Sequence, residues 1–232
     1  MNPHDPNVSI VELVAKALGP LREELVLVGG CSVGLLITDR GRPPVRQTID
    51  VDLVAEVASM GAYYHSLIPK LKAQGFKESA EDANMCRWKF GDLILDVMPS
   101  DESVLGHSTN RWYAEVVRSA SKVLLPSGLE ILVVSAPLFV ATKLVAFHDR
   151  GNNDYMHHDM EDIINLVDGR PELSGEVDSA PSEVKEFIRE EFDFLVGDQP
   201  FVDQLPMFFR PDAADQGRVP NLISRLRQLA GL

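Results

Sequence analysis

The sequence predicts an α+β fold, in which a small mixed β-sheet with flanking helices is followed by a helical C-terminal region. Short apolar or alternating runs bounded by turn residues continue to about residue 134, and from Ser135 onward the apolar residues recur at helical spacing. The composition agrees, because 45% apolar and 25% charged residues are typical of a globular chain of 232 residues. We therefore predict two regions, 1–134 and 135–232.

The first elements follow from local patterns. A helix is predicted from Ser9 to Leu18, since Ser9 and Glu12 have the spacing of a capping box. The apolar run 25–28 predicts a buried strand that ends at a glycine turn, and a short helix is expected over 31–38. A loop is expected over 39–44, where proline and glycine are frequent.

The middle of the chain predicts strands around one helix. Residues 48–53 alternate, so Ile49, Val51 and Leu53 are expected to face the core. A helix is predicted over 60–74, with an interruption at Pro69. Two hairpins are also predicted, the first joining 85–90 to 93–98 and the second joining 123–125 to 129–134.

Helical periodicity dominates the remainder of the chain. The four predicted helices are 135–150, 154–168, 181–195 and 221–229. Asp154, His158 and Asp162 share one face of the second of these helices, which suits either a metal site or a solvated face. The solvated face is favoured for His157, His158 and Asp159.

Composition excludes several classes of protein. No apolar run approaches the roughly 20 residues of a membrane span. The N-terminal segment MNPHDPNVSI lacks the basic and apolar parts of a secretory signal. Cys31 and Cys86 are too few for a disulfide framework or a zinc site, so a reducing cytoplasm is the expected location.

The charge is negative and unevenly distributed. The net charge is −13, and residues 151–200 alone hold 14 acidic and three basic residues. Such a surface disfavours non-specific binding to nucleic acid. A basic cluster of Arg40, Arg42 and Arg46 precedes the alternating strand and suits the steering of a nucleotide or an RNA end, although a solvated loop explains it equally well.

Three aspartates are the candidate catalytic residues. Asp50 and Asp52 are two apart in a strand, so both side chains point to one face about 6–7 Å apart. Asp96 stands alone between apolar neighbours in a second strand. Carboxylate oxygens in this arrangement suit Mg²⁺, and a pair of such ions can stabilise the attacking and leaving oxygens of a phosphoryl transfer. The alternative is a set of solvated acids on an exposed sheet face.

A glycine pair precedes this strand. Gly29 and Gly30 allow backbone N–H groups to approach a triphosphate, and Ser32 can donate a hydroxyl. A tight turn without a ligand is the alternative interpretation. Cys31 is interpreted as a small packing residue, since no histidine lies near it in the sequence.

Together these segments resemble the DNA polymerase β-type nucleotidyltransferase superfamily. The segments are LVGGCSV (27–33), RQTIDVDL (46–53) and the later strand with Asp96. Within the superfamily the sequence is most similar to the AbiEii/MenT-type toxins of type IV toxin–antitoxin systems, which carry a helical lysine followed by an Arg-x-x-x-Asp-like segment. KLVAFHDR (143–150) followed by GNND (151–154) matches that pattern. The resemblance covers residues 25–168.

The resemblance implies a catalytic domain over 1–134 and a region over 135–232 that contributes Lys143 and Asp154 to the cleft. Asp50, Asp52 and Asp96 would bind Mg²⁺, or Mn²⁺ in its place. Either Ser32 or the backbone of Cys31 would meet the phosphates. The residues expected to bind the nucleotide are Gly29, Gly30, Ser32, Arg46, Thr48, Lys143, Arg150 and Asp154.

The implied reaction moves a nucleoside monophosphate from ATP or another NTP to an acceptor hydroxyl, on tRNA, another RNA or a protein. An antitoxin protein would be a partner, and no membrane is involved. Two alternatives stay open. A small-molecule nucleotidyltransferase of the antibiotic-modifying kind suits the acidic surface, whereas a catalytically inactive nucleotide-binding regulatory protein is disfavoured because all three aspartates are present.

Overall fold

The computed structural model describes residues 5–39, 41–57, 59–79, 85–104 and 110–232. The chain forms two compact units, the first comprising Met1–Leu35 and Pro44–Ser135, and the second comprising Leu36–Pro43 and Ala136–Leu232. The junction at Ser135 lies one residue from the predicted boundary. The assignment of 36–43 to the second unit had no signal in the sequence, since it depends on contacts distant along the chain. Thr38 and Asp39 donate their backbone N–H groups to Gly169 O within that unit.

The first unit is built on a mixed sheet. Among the described residues the sheet has seven strands in the order β3-β4-β5-β2-β1-β7-β6. Their bounds are β1 Leu25–Leu27, β2 Asp50–Ala55, β3 Lys77–Glu78, β4 Arg87–Phe90, β5 Leu93–Pro99, β6 Ser121–Leu124 and β7 Glu130–Val133. The central strand β2 runs antiparallel to β1 and parallel to β5.

Helices of the first unit follow the order of the chain. They are α1 Pro6–Leu18, α2 Val33–Leu36, whose last residue belongs to the second unit, α3 Met60–Ala62, α4 Ile68–Ala73 and α5 Tyr113–Ser119. A π-helical turn, Tyr63–Leu67, joins α3 to α4, and Pro69 is the second residue of α4. A widened turn suits this position because proline has no N–H to donate and its ring crowds the preceding turn.

The second unit is helical. Its helices are α6 Ala136–Arg150, α7 His158–Gly169, α8 Leu173–Asp178, α9 Ser182–Gly197, α10 Gln199–Gln204, α11 Ala213–Gln216 and α12 Val219–Ala230. In α9 the apolar residues Val184, Ile188, Phe192 and Leu195 recur at helical spacing and are all buried. Of the described helices, none combines the length and the apolar character needed to cross a bilayer.

The α+β prediction is confirmed, and three local predictions are wrong. Helix α1 begins at Pro6 rather than Ser9, because the Asp5 carboxylate accepts the Asn7 N–H and Pro6 occupies the first turn. Helix α7 begins at His158 rather than Asp154. Ile49 was expected to face the core, but it precedes β2 and is 78% exposed.

Candidate active site

Strand β2 presents Asp50 and Asp52 on one face of the sheet. Val51 and Leu53 point to the opposite face, where they are buried, whereas the two aspartates are partly exposed. That buried face is covered by α1, whose residues Val11 and Val14 line a common space with Val51 and Leu53. The apolar alternation therefore fixes the direction of both carboxylates.

Asp96 lies on the same face as this pair. Strands β2 and β5 are parallel, and Asp52 is the direct register partner of Asp96. The neighbours of Asp96 in β5, Leu95 and Val97, are fully buried on the opposite face. The three candidate carboxylates thus come together on one face of two adjacent strands, with Asp96 the most buried of them.

A fourth residue of this site, Arg87, was missed by the sequence analysis. It lies in β4 directly opposite Asp96. Its Nε donates to Asp96 Oδ1 at 2.9 Å and its Nη2 to Asp96 Oδ2 at 2.7 Å, while the same Nη2 lies 3.4 Å from Asp50 Oδ2. The sequence did contain a signal for this pair. A hairpin that turns at Gly91 and Asp92 places residues 87 and 96 at equal distances from the turn, and therefore opposite each other.

The glycine turn lies against Asp52. Gly29 has φ +65°, a conformation that favours glycine, and a Cβ added there would lie 2.7 Å from Asp52 Cγ. The backbone N–H of Val28 donates to Asp52 O at 3.0 Å, which fixes the turn to β2. Residues Gly30–Ser32 then form a 3₁₀ turn. Only glycine at position 29 allows this approach of backbone to carboxylate.

We predict that Gly29→Ala lowers stability by more than the roughly 1–2 kcal/mol that a left-handed alanine costs, because its Cβ also displaces the Asp52 carboxylate. Gly91→Ala is the matched control, since Gly91 has φ +59° and no atom within 4 Å of an added Cβ. Urea unfolding of both variants measures the difference. Equal losses of unfolding free energy would show that Gly29 serves the turn alone.

Ser32 is held within the turn. It is fully buried, and its Oγ donates to Gly29 O at 2.8 Å. This bond fixes the backbone that follows the glycine pair. The predicted contact between the Ser32 hydroxyl and a phosphate stays a prediction.

Cys31 and Thr48 lie behind the first aspartate. Cys31 Sγ is 2.7 Å from Thr48 Oγ1 and donates to Asp50 O at 3.3 Å. Burial, reinforced by the charges of Asp52 and Asp50, raises the pKa of the Cys31 thiol to about 12. A thiol in this state is not a nucleophile at neutral pH, which agrees with its interpretation as a packing residue.

The start of β2 is tied to α1 by Asn7. The Asn7 side chain accepts the Thr48 N–H at 2.9 Å and donates to Arg46 O at 3.0 Å. Thr48 is buried and Arg46 is half-buried. Both predicted nucleotide-binding residues therefore belong to the segment that leads into β2, and their contacts with a nucleotide stay predictions.

In the second unit, Lys143 of α6 is buried in an ion-pair cluster. Its Nζ lies 2.8 Å from Asp159 Oδ1 and 2.7 Å from Asp162 Oδ2, both on α7. Burial by itself lowers the pKa of the ammonium group, but the adjacent Asp162 and Asp159 carboxylates outweigh it and raise that pKa. Arg150 donates to both oxygens of Asp159 at 2.7 and 2.8 Å.

The prediction of a solvated face on α7 is partly wrong, because Asp159 and Asp162 are buried against Lys143. His157 and His158 do have ligand atoms within 4.8 Å of an Asp159 oxygen. Each oxygen of that carboxylate, however, already accepts hydrogen bonds from cations, which opposes a further cation. Asp154 lies apart from this group, exposed in a turn where it accepts the Met156 N–H.

The arginines of the predicted basic cluster do not share one environment in the structure. Arg42 is buried and pairs with Asp168 and Asn165, which excludes the solvated-loop interpretation for this residue. Arg40 lies outside the described residues. The cluster is therefore not a continuous solvent-exposed patch.

Comparison with solved structures identifies the fold. An antigenic nucleotidyltransferase-like protein from Paracoccidioides brasiliensis matches with a TM-score of 0.53 and 18% sequence identity, covering 92% of this chain and 98% of that one. The fold is nucleotidyltransferase-like. No protein-family model matches the chain, and no curated protein sequence does.

Two further solved structures match this chain with a TM-score of 0.47. The antibiotic-resistance factor ANT(2'')-Ia is 14% identical, with 81% of this chain and 94% of that one covered. JHP933 from Helicobacter pylori is 11% identical, with 96% of this chain and 90% of that one covered.

The residues of the sheet face fit a divalent cation. Asp50, Asp52 and Asp96 offer hard oxygen ligands, the type that Mg²⁺ and Mn²⁺ prefer. The guanidinium of Arg87 donates to both oxygens of Asp96 and lies 3.4 Å from Asp50 Oδ2, so Asp96 already shares its charge with a cation, whereas Asp50 is less engaged. The Asp50 side chain is 42% exposed and so is open to an ion from solvent.

Proposed function

We propose that this chain is a nucleotidyltransferase that moves a nucleoside monophosphate from an NTP to an acceptor hydroxyl. One observation carries the proposal: Asp50, Asp52 and Asp96 share one sheet face in a nucleotidyltransferase-like fold. Carboxylates gathered in this way repel one another unless cations lie among them, and Arg87 supplies one positive charge against three carboxylates. A solvated sheet face gives no reason for such a cluster to sit against a glycine turn.

In the proposed reaction, the acceptor oxygen bonds to the α-phosphorus as the bond to pyrophosphate breaks, and the hydroxyl proton is released. Asp50, Asp52 and Asp96 would hold Mg²⁺ or Mn²⁺, and bound ions would stabilise the charge on the attacking and leaving oxygens. Asp96 would help to hold the ion that lowers the pKa of the attacking hydroxyl. The backbone at Gly29 and Gly30 receives the triphosphate.

Lys143 and Arg150 of α6 have a structural role in addition to the nucleotide binding that is predicted for them. Lys143 and Arg150 hold α6 to α7 through Asp159, whatever their contact with a nucleotide. Binding of the nucleotide by Lys143, Arg150 and Asp154 stays a prediction of the sequence resemblance.

For the acceptor we propose the end of a tRNA or of another RNA, as in the AbiEii/MenT-type toxins that the sequence resembles, with an antitoxin protein as partner. The charge of residues 151–200 favours a second candidate, a small polar molecule with a free hydroxyl, since an acidic surface repels a polyanion.

The test is transfer of label from α-³²P-labelled NTPs, supplied one at a time with Mg²⁺ and either total tRNA or a panel of aminoglycosides. We expect label in one acceptor pool and none when EDTA is added. The double variant Asp50→Asn, Asp52→Asn is the control. Equal labelling by the wild type and this variant would contradict the proposed function.

A further inference from the structure

A cavity of about 380 Å³ lies in the first unit, at the end of the central strands that is opposite to the candidate active site. Leu25 at the start of β1 lies opposite Ala55 at the end of β2, and both line the cavity. Asp50 lies at the other end of β2, about 17 Å away for a strand that rises about 3.3 Å per residue. The cavity is therefore separate from the aspartates.

The inside of this cavity is aliphatic. Among the described residues that line it, none is aromatic. The π-helical turn contributes Ser66 and Leu67 to the wall, and turns of this kind are frequent at functional sites. The buried residues of the lining are Leu25, Val26, Ala55, Val57 and Leu67. Such a surface suits a hydrocarbon chain, which gains free energy when it leaves water.

The opening of the cavity is acidic. Three exposed glutamates line it, Glu23, Glu24 and Glu56. Lys70 of α4 donates to Glu24, and Arg22 lies 3.6 Å from Glu23. Glu56 forms no ion pair with any residue that the structure describes. One carboxylate thus stays without a cation beside an apolar cavity.

Lys70 shows which chemical group this opening holds. Its side chain is a four-carbon chain that ends in an ammonium group, and that group already pairs with Glu24. A ligand of the same chemistry would complement Glu56, whereas a phosphate-bearing ligand would be repelled by the glutamates. The volume lies within the range of small-molecule sites, about 300–1,000 Å³.

We propose that this cavity binds a small aliphatic primary amine in its ammonium form. The hydrocarbon chain lies against Val26 and Val57, and the ammonium group donates to the Glu56 carboxylate. Because the site is separate from Asp50 and excludes phosphates, it is distinct from the proposed nucleotide site. The inference does not depend on the proposed function.

The test is a titration of the ¹⁵N-labelled chain at neutral pH, followed by nuclear magnetic resonance, with hexylamine as the probe. We expect saturable shifts of the amide signals of Ser66, Val117 and Leu132, which line the cavity. Hexanol, the neutral analogue, should bind about three- to fivefold more weakly, as expected for one lost ion pair at a surface. Butylamine should bind about two- to fourfold more weakly for each methylene group removed. Hexanoate should produce no such shifts.

Two pairs of variants separate charge from space. Glu56→Gln should weaken hexylamine about three- to fivefold and leave hexanol unchanged, whereas Glu78→Gln is the matched control, because Glu78 is exposed and pairs with Lys72 on the adjacent surface. Ala62→Phe places a ring in the cavity and should abolish the binding of both probes. Ala62→Ser keeps the space and should bind both. Thermal melting confirms that each variant is folded before the titration.

Equal affinity of the wild type for hexylamine and hexanol would overturn the inference, and so would hexylamine shifts that occur only outside the cavity or never saturate. Unchanged binding by Ala62→Phe would place the amine elsewhere and overturn it as well. Because no turnover is measured, a chain that transfers no label can still bind the amine, and the two failures are distinguishable.

Discussion

Replacing Asp52 by asparagine is expected to lower the rate of nucleotide transfer by about 10³-fold or more, because positioning and charge stabilisation supply most of the rate in phosphoryl transfer. Asparagine keeps the shape of the side chain that lies against Gly29, so the turn should persist. The change removes one negative charge from the cluster and little else. Transfer is measured as initial rates of label incorporation at saturating NTP.

The control for this variant is Asp92→Asn. Asp92 lies in the turn between β4 and β5 and is exposed, so its replacement tests an equal change of charge on the same hairpin. We expect its rate to be unchanged. If Asp52→Asn keeps more than about a tenth of the wild-type rate, the role proposed for the aspartates is wrong.

The direction of the aspartates was predictable from the sequence because it is a local property. Alternation along β2 sends Val51 to the core and its two acidic neighbours to the other face, and packing under α1 enforces the choice. The first hairpin was equally local, since Gly91 and Asp92 mark its turn. Ile49 failed the same rule because β2 starts one residue after it.

Contacts across elements were not predictable in this way. Arg87 could have been placed from the register of the hairpin, but its reach to Asp50 depends on β2 lying beside β5. Lys143 shows the same limit. Its spacing from Arg150 indicated one helix face, but only the packing of α6 on α7 determines that Asp159 and Asp162 meet it.

Lys143→Met is expected to destabilise the chain by about 3–5 kcal/mol, because it removes the buried cation that contacts two buried carboxylates. Methionine fills a similar volume, so loss of charge is the main change. Asp162 is buried and would lose the ammonium 2.7 Å away, while Asp159 would keep Arg150. The free energy of unfolding in urea, followed by circular dichroism, measures the effect.

The matched control is Arg189→Met. Arg189 pairs with Asp178 at 2.7 Å, but both side chains are largely exposed, so the expected loss is about 0–1 kcal/mol. Replacing both members of the buried pair, as Lys143→Met with Asp162→Leu, should recover part of the stability, since a buried carboxylate is removed together with its cation. A loss for Lys143→Met no larger than that of the control would show that the cluster is not structural.

The ion pairs of Asp159 and Lys143 also make the stability of the chain depend on pH. Burial raises the pKa of Asp159, but hydrogen bonds from Arg150 and the charge of Lys143 outweigh it and hold the pKa below its usual range. A depressed folded-state pKa stabilises the chain above the unfolded value of about 3.9, and this contribution is lost as the pH falls towards the folded value.

The pKa of Lys143 is raised instead, so its contribution is complete below about pH 10.4 and is lost as the pH rises through the folded value. The stability difference between the wild type and Lys143→Met should therefore be constant between about pH 5 and 9 and decrease towards both extremes. A difference that varies across the neutral range would assign the effect to a histidine instead, such as His158, whose Nε2 lies 3.6 Å from Asp159 Oδ2.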